Sequence, residues 1–386
     1  MIDVNELENN DVICSQCVMN TSDPNIIFDE NGICDHCHDF ENYVKPNWHT
    51  DERGRQELLK TVEKIKADGK GKDFDCLLGI SGGVDSSYML HLAVKEFGLR
   101  PLVFHVDGGW NSELAVHNIN VMIDKLGLDL YTEVINWEEM KDFQLAFFKS
   151  GVPHIDIPQD HAFIATLYHF ADKYNIKYIL NGGNFSTECV QYPMKYYYYG
   201  TDMVQINDIK KRFGTMKMET YPFSSIYRHK IYLKYIRGIN VVKPLNFMPY
   251  YKEQALALLE KEYGWKPYPQ KHFESRFTRF FEGYWLPERF GFDPRRVMFS
   301  SLILTGQMAR EDALEQMKKP AYNPETIEED FNFIATKLGI TREELQGYFN
   351  MPKKFYWDYK NQQNLFRLGA KVLHWMGVEK VKKRKK

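Results

Sequence analysis

Between residues 75 and 244, short apolar runs alternate with amphipathic stretches of helical length. The runs Asp75–Ile80, Pro101–Asp107, Asp129–Ile135, Tyr178–Asn181 and Asn240–Pro244 predict strands. Ser86–Phe97, Ser112–Leu126, Trp137–Lys149 and His161–Tyr174 predict the helices between them. Strands joined by helix-length crossovers make a doubly wound parallel sheet of the α/β class, whose ligands sit at the carboxyl ends of the strands. Upstream, Glu41 to Asp73 is charged and spaces Leu58, Leu59, Val62 and Ile65 as one helical face, which predicts a connecting helix. Beyond Tyr250 strand patterns give way to helical ones at Lys252–Tyr263, Arg310–Lys318, Thr326–Leu338 and Thr341–Tyr348. The expected organisation is therefore a small N-terminal unit at 1–45, a sheet domain at 46–250 and an α-helical C-terminal region at 251–386.

The first strand runs into SGGVDSS, Ser81 to Ser87, and then into a helix. A helix N-terminus gathers unpaired N–H groups and favours anions. A Walker A loop would bring a lysine to the phosphates, and this loop has none. Ser81, Gly82, Gly83, Asp85, Ser86 and Ser87 instead offer close backbone approach, hydroxyl donors and a carboxylate able to hold Mg²⁺, a set suited to a departing pyrophosphate. Ser81 to Ser86 match the SGGxDS motif, and the segment resembles the PP-loop ATP pyrophosphatases, with their adenine nucleotide alpha hydrolase-like fold. That resemblance implies cleavage of ATP between the α and β phosphates and adenylation of a carbonyl oxygen. It also implies a nucleotide-binding role for Asp107, at the end of the second strand, and a phosphate-neutralising role for Lys243 and Lys252.

Composition adds a metal site and removes some partners. Of six cysteines, four form the pairs Cys14/Cys17 and Cys34/Cys37, 16 residues apart. Two such turns complete a tetrahedral thiolate shell for structural Zn²⁺, a zinc ribbon, with His36 and His38 as bystanders. Net charge is −2, which gives no general pull toward nucleic acid, although Lys380 to Lys386 is strongly basic and reads as a solvated terminus. No signal-like or membrane-length apolar run is present in the sequence, so a cytoplasmic protein without a membrane partner is expected.

Substrate choice rests on longer segments. "CVMNTSDPNIIFDENGICDHC", "HVDGGWNSE", "PQDHAF", "NGGNFSTE" and "HFESRFTRFFEGYWLPERFGFDPRR" (His272–Arg296) together resemble the N-acetyl sugar amidotransferases of bacterial surface-polysaccharide pathways. The resemblance implies conversion of a sugar's acetamido group to an acetamidino group in lipopolysaccharide O-antigen synthesis. The sugar is free or nucleotide-linked, and a separate glutaminase subunit supplies the ammonia. Asn181, Gly182, Gly183 and Asn184 either contact the sugar or form a plain glycine-rich turn. His161 either shuttles a proton or is structural. Arg276, Arg279 and Arg289 either clamp phosphates or a carboxylate, or line a solvated helix face. A tRNA-modifying PP-loop thiolase is the alternative enzyme, and a catalytically dead zinc-ribbon scaffold the non-enzymatic one.

Overall fold

The computed structural model describes residues 11–268 and 273–375. Five parallel strands form one sheet in the order β3-β2-β1-β4-β5. They are β1 (Cys76–Gly79), β2 (Pro101–Asp107), β3 (Leu130–Val134), β4 (Tyr178–Leu180) and β5 (Asn240–Val242). Side chains alternate between the two faces of each strand. Cys76 and Leu78 therefore enter one core with Met89, Leu90 and Ile119, while Leu77 and Phe104 enter another with Phe143, Phe147 and Phe170.

The crossovers are α1 (Glu52–Asp68) before the sheet, then α2 (Val84–His91), α3 (Glu113–Leu126), α4 (Trp137–Ser150), α5 (Ile157–Lys173) and α6 (Met203–Phe213). Their ends are set by local chemistry. Asp51, Ser112 and Asn136 accept backbone N–H groups at the starts of α1, α3 and α4, and Gly127 and Gly151 close α3 and α4 in the left-handed region at φ 63° and 71°. The connecting helix expected from Glu41 to Asp73 is shorter than the pattern suggests. Pro46 sits in a tight turn at Lys45–Asn47, and α1 begins only after its Asp51 cap. Helix α5 starts four residues before His161, because Pro158 occupies its first turn, where no N–H is needed.

The C-terminal region is helical: α7 (Lys252–Tyr263), α8 (Arg276–Phe280) with a π-helical continuation through Phe290, α9 (Arg295–Leu304), α10 (Arg310–Met317), α11 (Ile327–Leu338), α12 (Arg342–Asn350) and α13 (Gln363–Trp375). Ala255, Leu259 and Tyr263 of α7 belong to the β1-side core, so the sheet domain's packing continues past residue 250. Helices α8, α9, α11 and α12 build an aromatic core around Phe277, Phe280, Trp285 and Phe331, and the four ribbon cysteines lie in that same cluster. Among the described residues no helix is long and apolar enough to cross a membrane.

Candidate functional site

The loop between β1 and α2 is held open by its own side chains. Ser86 Oγ donates to the Gly83 carbonyl at 3.1 Å and accepts the Ser81 N–H at 3.3 Å, while Ser81 Oγ accepts the Gly83 N–H at 3.2 Å. The Tyr268 hydroxyl donates to the Gly82 carbonyl at 3.1 Å. Gly82 has φ +84°, and a Cβ there would stand 2.8 Å from the Ala115 carbonyl oxygen, a backbone atom that cannot swing aside. Gly82→Ala is therefore expected to distort the cradle and weaken binding of a nonhydrolysable ATP analogue at least tenfold, measured by calorimetry. Unchanged affinity would show that the loop does not carry the phosphates.

Over the carboxyl ends of β1 and β4 lies a cavity of about 410 Å³. Sheet order reverses between these two strands, and open α/β sheets bind their ligands at such a point. The cavity brings together Ser81, Gly83, Asp85, Ser86, Asn181, Gly182, Gly183, Lys243 and Lys252 from the sequence-derived set. Gly182 allows the second loop to close on the first, since a Cβ there would stand 2.7 Å from the Asp85 carbonyl oxygen. Gly183 N–H is turned onto Asn181 Oδ1 at 2.7 Å. Asp85, in the first turn of α2, accepts the Tyr250 hydroxyl at 2.5 Å and Asn184 Nδ2 at 3.4 Å. Burial and the adjacent carboxylate push the Tyr250 hydroxyl far above the usual phenol range, so it remains a donor. Glu188 and Glu274 also line the cavity, opposite in charge to Lys243 and Lys252. These two acids, with Tyr250 and Tyr268, were not singled out from the sequence. Glu188 and Glu274 were visible only as members of the quoted segments.

Several expected residues stand elsewhere. Ser87 is fully buried and accepts Trp265 Nε1–H at 3.2 Å. Asp107 ends β2, on the far side of β1 from the cavity, and its carboxylate closes a turn on the Gly109 N–H at 2.7 Å. Asn184 is buried, caps the helical turn Phe185–Glu188 through Thr187 N–H at 2.9 Å and acts on the site through Asp85. His161 is buried with both ring nitrogens engaged. Nδ1 donates to the Gly200 carbonyl at 2.6 Å and Nε2 accepts the Ser224 N–H at 3.0 Å, while burial pulls its pKa down. That neutral, fully bonded ring has no proton to move at the cavity. Arg276 and Arg279 share Asp330 on α11, Arg276 lies 3.7 Å over the Phe333 ring, and Arg289 donates to the Phe349 carbonyl. These arginines tie C-terminal helices to one another. His272, which opens the last quoted segment, lies outside the described residues.

At the other end of the chain, Cys14, Cys17, Cys34 and Cys37 are buried with all Sγ atoms within 4.8 Å of one another. Three Sγ pairs measure 3.6 to 3.7 Å. A tetrahedron with ~2.3 Å metal–sulfur bonds has edges of about 3.8 Å, so the set fits a single four-coordinate ion with no open position. Backbone N–H groups of Cys17 and Cys34 point at Cys14 Sγ at 3.4 and 3.2 Å, as thiolate charge requires. His36 pairs with Asp23 at 3.0 Å and His38 with Asp29 at 2.9 Å, away from the four sulfurs. The ribbon is fastened to the C-terminal region by Arg310, which donates to the Cys14 and Cys17 carbonyls at 2.8 and 3.1 Å, and by Val18 N–H to Ser300 Oγ at 3.2 Å.

Comparison with known proteins finds two separate matching stretches. A family model described as NAD synthase matches residues 57–221, and one described as LPS biosynthesis protein WbpG-like, C-terminal domain, matches residues 274–373. An uncharacterized protein of Methanocaldococcus jannaschii is 31% identical over 106 residues, 27% of this chain and 36% of that protein. An NH3-dependent NAD+ synthetase of Methanococcoides burtonii is 25% identical over 155 residues, 38% of this chain and 56% of that protein. The match thus spans about a third to a half of these curated relatives. Among solved structures, NH3-dependent NAD synthetase from Campylobacter jejuni, in complex with nitrate, aligns over 78% of this chain and 98% of its own at 13% identity and a TM-score of 0.29. U34-tRNA thiolase NcsA from Methanococcus maripaludis, with its 4Fe-4S cluster, aligns over 89% and 90% at 12% identity and a TM-score of 0.34. An NAD synthase-like PP-loop domain at 57–221 followed by a WbpG-like C-terminal domain at 274–373 is a combination that supports a WbpG-type PP-loop amidotransferase family.

Proposed function

We propose that this protein adenylates the acetamido oxygen of an N-acetyl sugar with ATP and replaces that oxygen by ammonia, giving an acetamidino sugar for lipopolysaccharide O-antigen synthesis in the cytoplasm. The observation that carries this reading is a lysine-free phosphate cradle, with Asp85 at its rim, opening into one cavity with Lys243 and Lys252. The WbpG-like match at 274–373 supports the pathway. An amide carbon is a poor electrophile, so its oxygen must first become a leaving group. In the proposed sequence that oxygen attacks the α-phosphorus and pyrophosphate departs. Ammonia then adds to the imidate carbon, and AMP leaves with the former amide oxygen. The N–H groups of the loop would receive the pyrophosphate at the α2 N-terminus. Asp85 would hold Mg²⁺, which supplies charge neutralisation, and the two lysines would offset the remaining negative charge. Zn²⁺ in the Cys14/Cys17/Cys34/Cys37 shell would serve stability alone, having no open position.

The deciding experiment is product analysis with ATP, ammonium chloride and a panel of N-acetyl sugars. AMP and pyrophosphate in equal amounts, with a sugar 1 mass unit lighter as oxygen is exchanged for NH, are expected. ADP and phosphate would overturn the reading. The nitrogen should come from a separate glutaminase, because glutamine hydrolysis in this chain would need a reactive thiolate. Burial pushes Cys189 up to about 12 and Cys76 higher still, so both remain thiols. The same two thiols give a tRNA thiolase reading no support. The isolated chain is expected to turn over with ammonium and to be inert with glutamine, as followed by AMP release. Glutamine-driven turnover lost on Cys189→Ala would refute the two-protein scheme.

A further inference from the structure

Behind the phosphate cavity lies a second one of about 520 Å³, and Lys252 lines both. The partition between them is the turn Ser186–Glu188, with Thr187 facing the second cavity and Glu188 the first. This wall is built. Gln307 accepts the Lys252 N–H and donates to the Ser186 carbonyl, both at 2.9 Å, and Thr305 Oγ1 donates to the same carbonyl at 2.7 Å. The outer rim is fixed as well. Arg295 pairs with Asp293 at 2.6 Å and donates to the carbonyls of Gln316, Lys319 and Pro320 at 3.3, 2.7 and 3.3 Å. Between wall and rim the lining from α9 and the following loop is apolar, with Met298, Phe299, Leu302 and Met308. Gln316 and Lys319 are exposed, so the chamber opens to solvent there, and Lys252 is the lining residue it shares with the first cavity.

The two cavities differ in charge. Asp85, Glu188 and Glu274 line the first, whereas none of the ten lining residues of the second is acidic and three are cationic. Arg295 is already paired with Asp293, so selection for an anion with apolar parts rests on Lys319 at the rim of an otherwise largely apolar chamber. Lys252 borders both cavities, so the Lys252 end of the chamber is where an acceptor amide would be directed toward a nucleotide in the first cavity. We infer that the second cavity is the acceptor chamber. It takes an N-acylated sugar bearing a negative group, acyl amide toward Lys252 and charge toward the Lys319 rim, with the acyl methyl against Met298, Leu302 and Met308. This rests on the amide-adenylation reading. The negative group is a sugar carboxylate or a nucleotide diphosphate, two sources of one chemistry.

The test is calorimetric binding to the whole chain preloaded with Mg²⁺ and α,β-methylene ATP. The probes are N-acetylneuraminate for the carboxylate, UDP-N-acetylglucosamine for the diphosphate and N-acetylglucosamine as the neutral control. At least one anionic probe is expected to bind tenfold or more tighter than the neutral one, and which one does so identifies the source. Leu302→Trp, which fills the chamber, should weaken that probe at least tenfold with nucleotide affinity kept within twofold, while Leu302→Met should keep both. Lys319→Glu, at the exposed rim, should erase the preference for anions, and it decides the matter if the tryptophan variant loses nucleotide binding. No binding by any probe, no preference for charge, or tight binding that survives both Leu302→Trp and Lys319→Glu would overturn the assignment. The underlying reaction fails separately, if a bound sugar and ammonium together produce no AMP.

Discussion

Replacing Cys34 by serine is expected to empty the N-terminal metal shell and to lower the unfolding midpoint by about 10 °C or more. The shell uses all four sulfurs at tetrahedral spacing, so one hydroxyl in place of a thiolate leaves three ligands and an uncompensated gap. Structural zinc contributes roughly 10–16 kcal/mol of apparent binding free energy in small zinc domains. Losing even about 4 kcal/mol, at ~2–4 °C per kcal/mol, accounts for the shift. The damage reaches beyond the ribbon, because the cysteines are part of the C-terminal aromatic core and Arg310 is anchored on the Cys14 and Cys17 carbonyls. Metal analysis and calorimetry on the same preparations check both halves of the expectation. Cys189→Ser is the control, since Cys189 stands outside the shell and should keep one metal per chain. A Cys34→Ser protein with full metal content, or one that loses metal and melts unchanged, would show that the four cysteines do not clamp the fold.

The parts of this molecule that sequence made legible are those set by neighbours in the chain. Strands β1 and β2 read clearly because their apolar runs are buried on both faces, and α3 and α4 because Ser112, Asn136, Gly127 and Gly151 punctuate them. The phosphate loop and the cysteine pairs are equally local. What stayed hidden depends on contacts between distant segments. Tyr250 meets Asp85 across 165 residues, and Arg276 meets Asp330 across 54. Aromatics interleaved with arginines look alike whether the guanidinium binds a ligand or a neighbouring helix. Ser86 and Ser87 show how small the margin is. Successive helix residues point about 100° apart, so one hydroxyl turns back to the loop while the next enters the core and takes the Trp265 N–H. The π-helical run Phe281–Phe290 was not legible either, because its Pro287 reads as a helix stop.

Asp85→Asn is expected to reduce AMP formation about 10²–10³-fold and to leave the fold intact. The substitution isolates charge from shape. Asp85 Oδ1 accepts the Tyr250 hydroxyl at 2.5 Å and Asn184 Nδ2 at 3.4 Å, and an asparagine carbonyl oxygen can accept both. What disappears is the negative charge at the first turn of α2, beside the loop N–H groups that would hold the pyrophosphate. Without it the proposed Mg²⁺ would lose a ligand, and neutralising the phosphate charge would fall more heavily on Lys243 and Lys252. Tyr250→Phe provides the complementary measurement. It keeps the charge and removes a donor that orients it, so its effect should be smaller, about tenfold, and should fall on kcat rather than on nucleotide affinity. The assay reads AMP release with ammonium and an accepted N-acetyl sugar at several Mg²⁺ concentrations, because a weakened ligand set is partly rescued by more metal. Asp85→Asn turnover within tenfold of the parent, with no shift in the Mg²⁺ requirement, would remove Asp85 from the catalytic machinery. A larger loss in Tyr250→Phe than in Asp85→Asn would mean that orientation outweighs charge at this position, and the assignment of Asp85 as the metal-holding carboxylate would pass to Glu188 or Glu274, the other acids of the cavity.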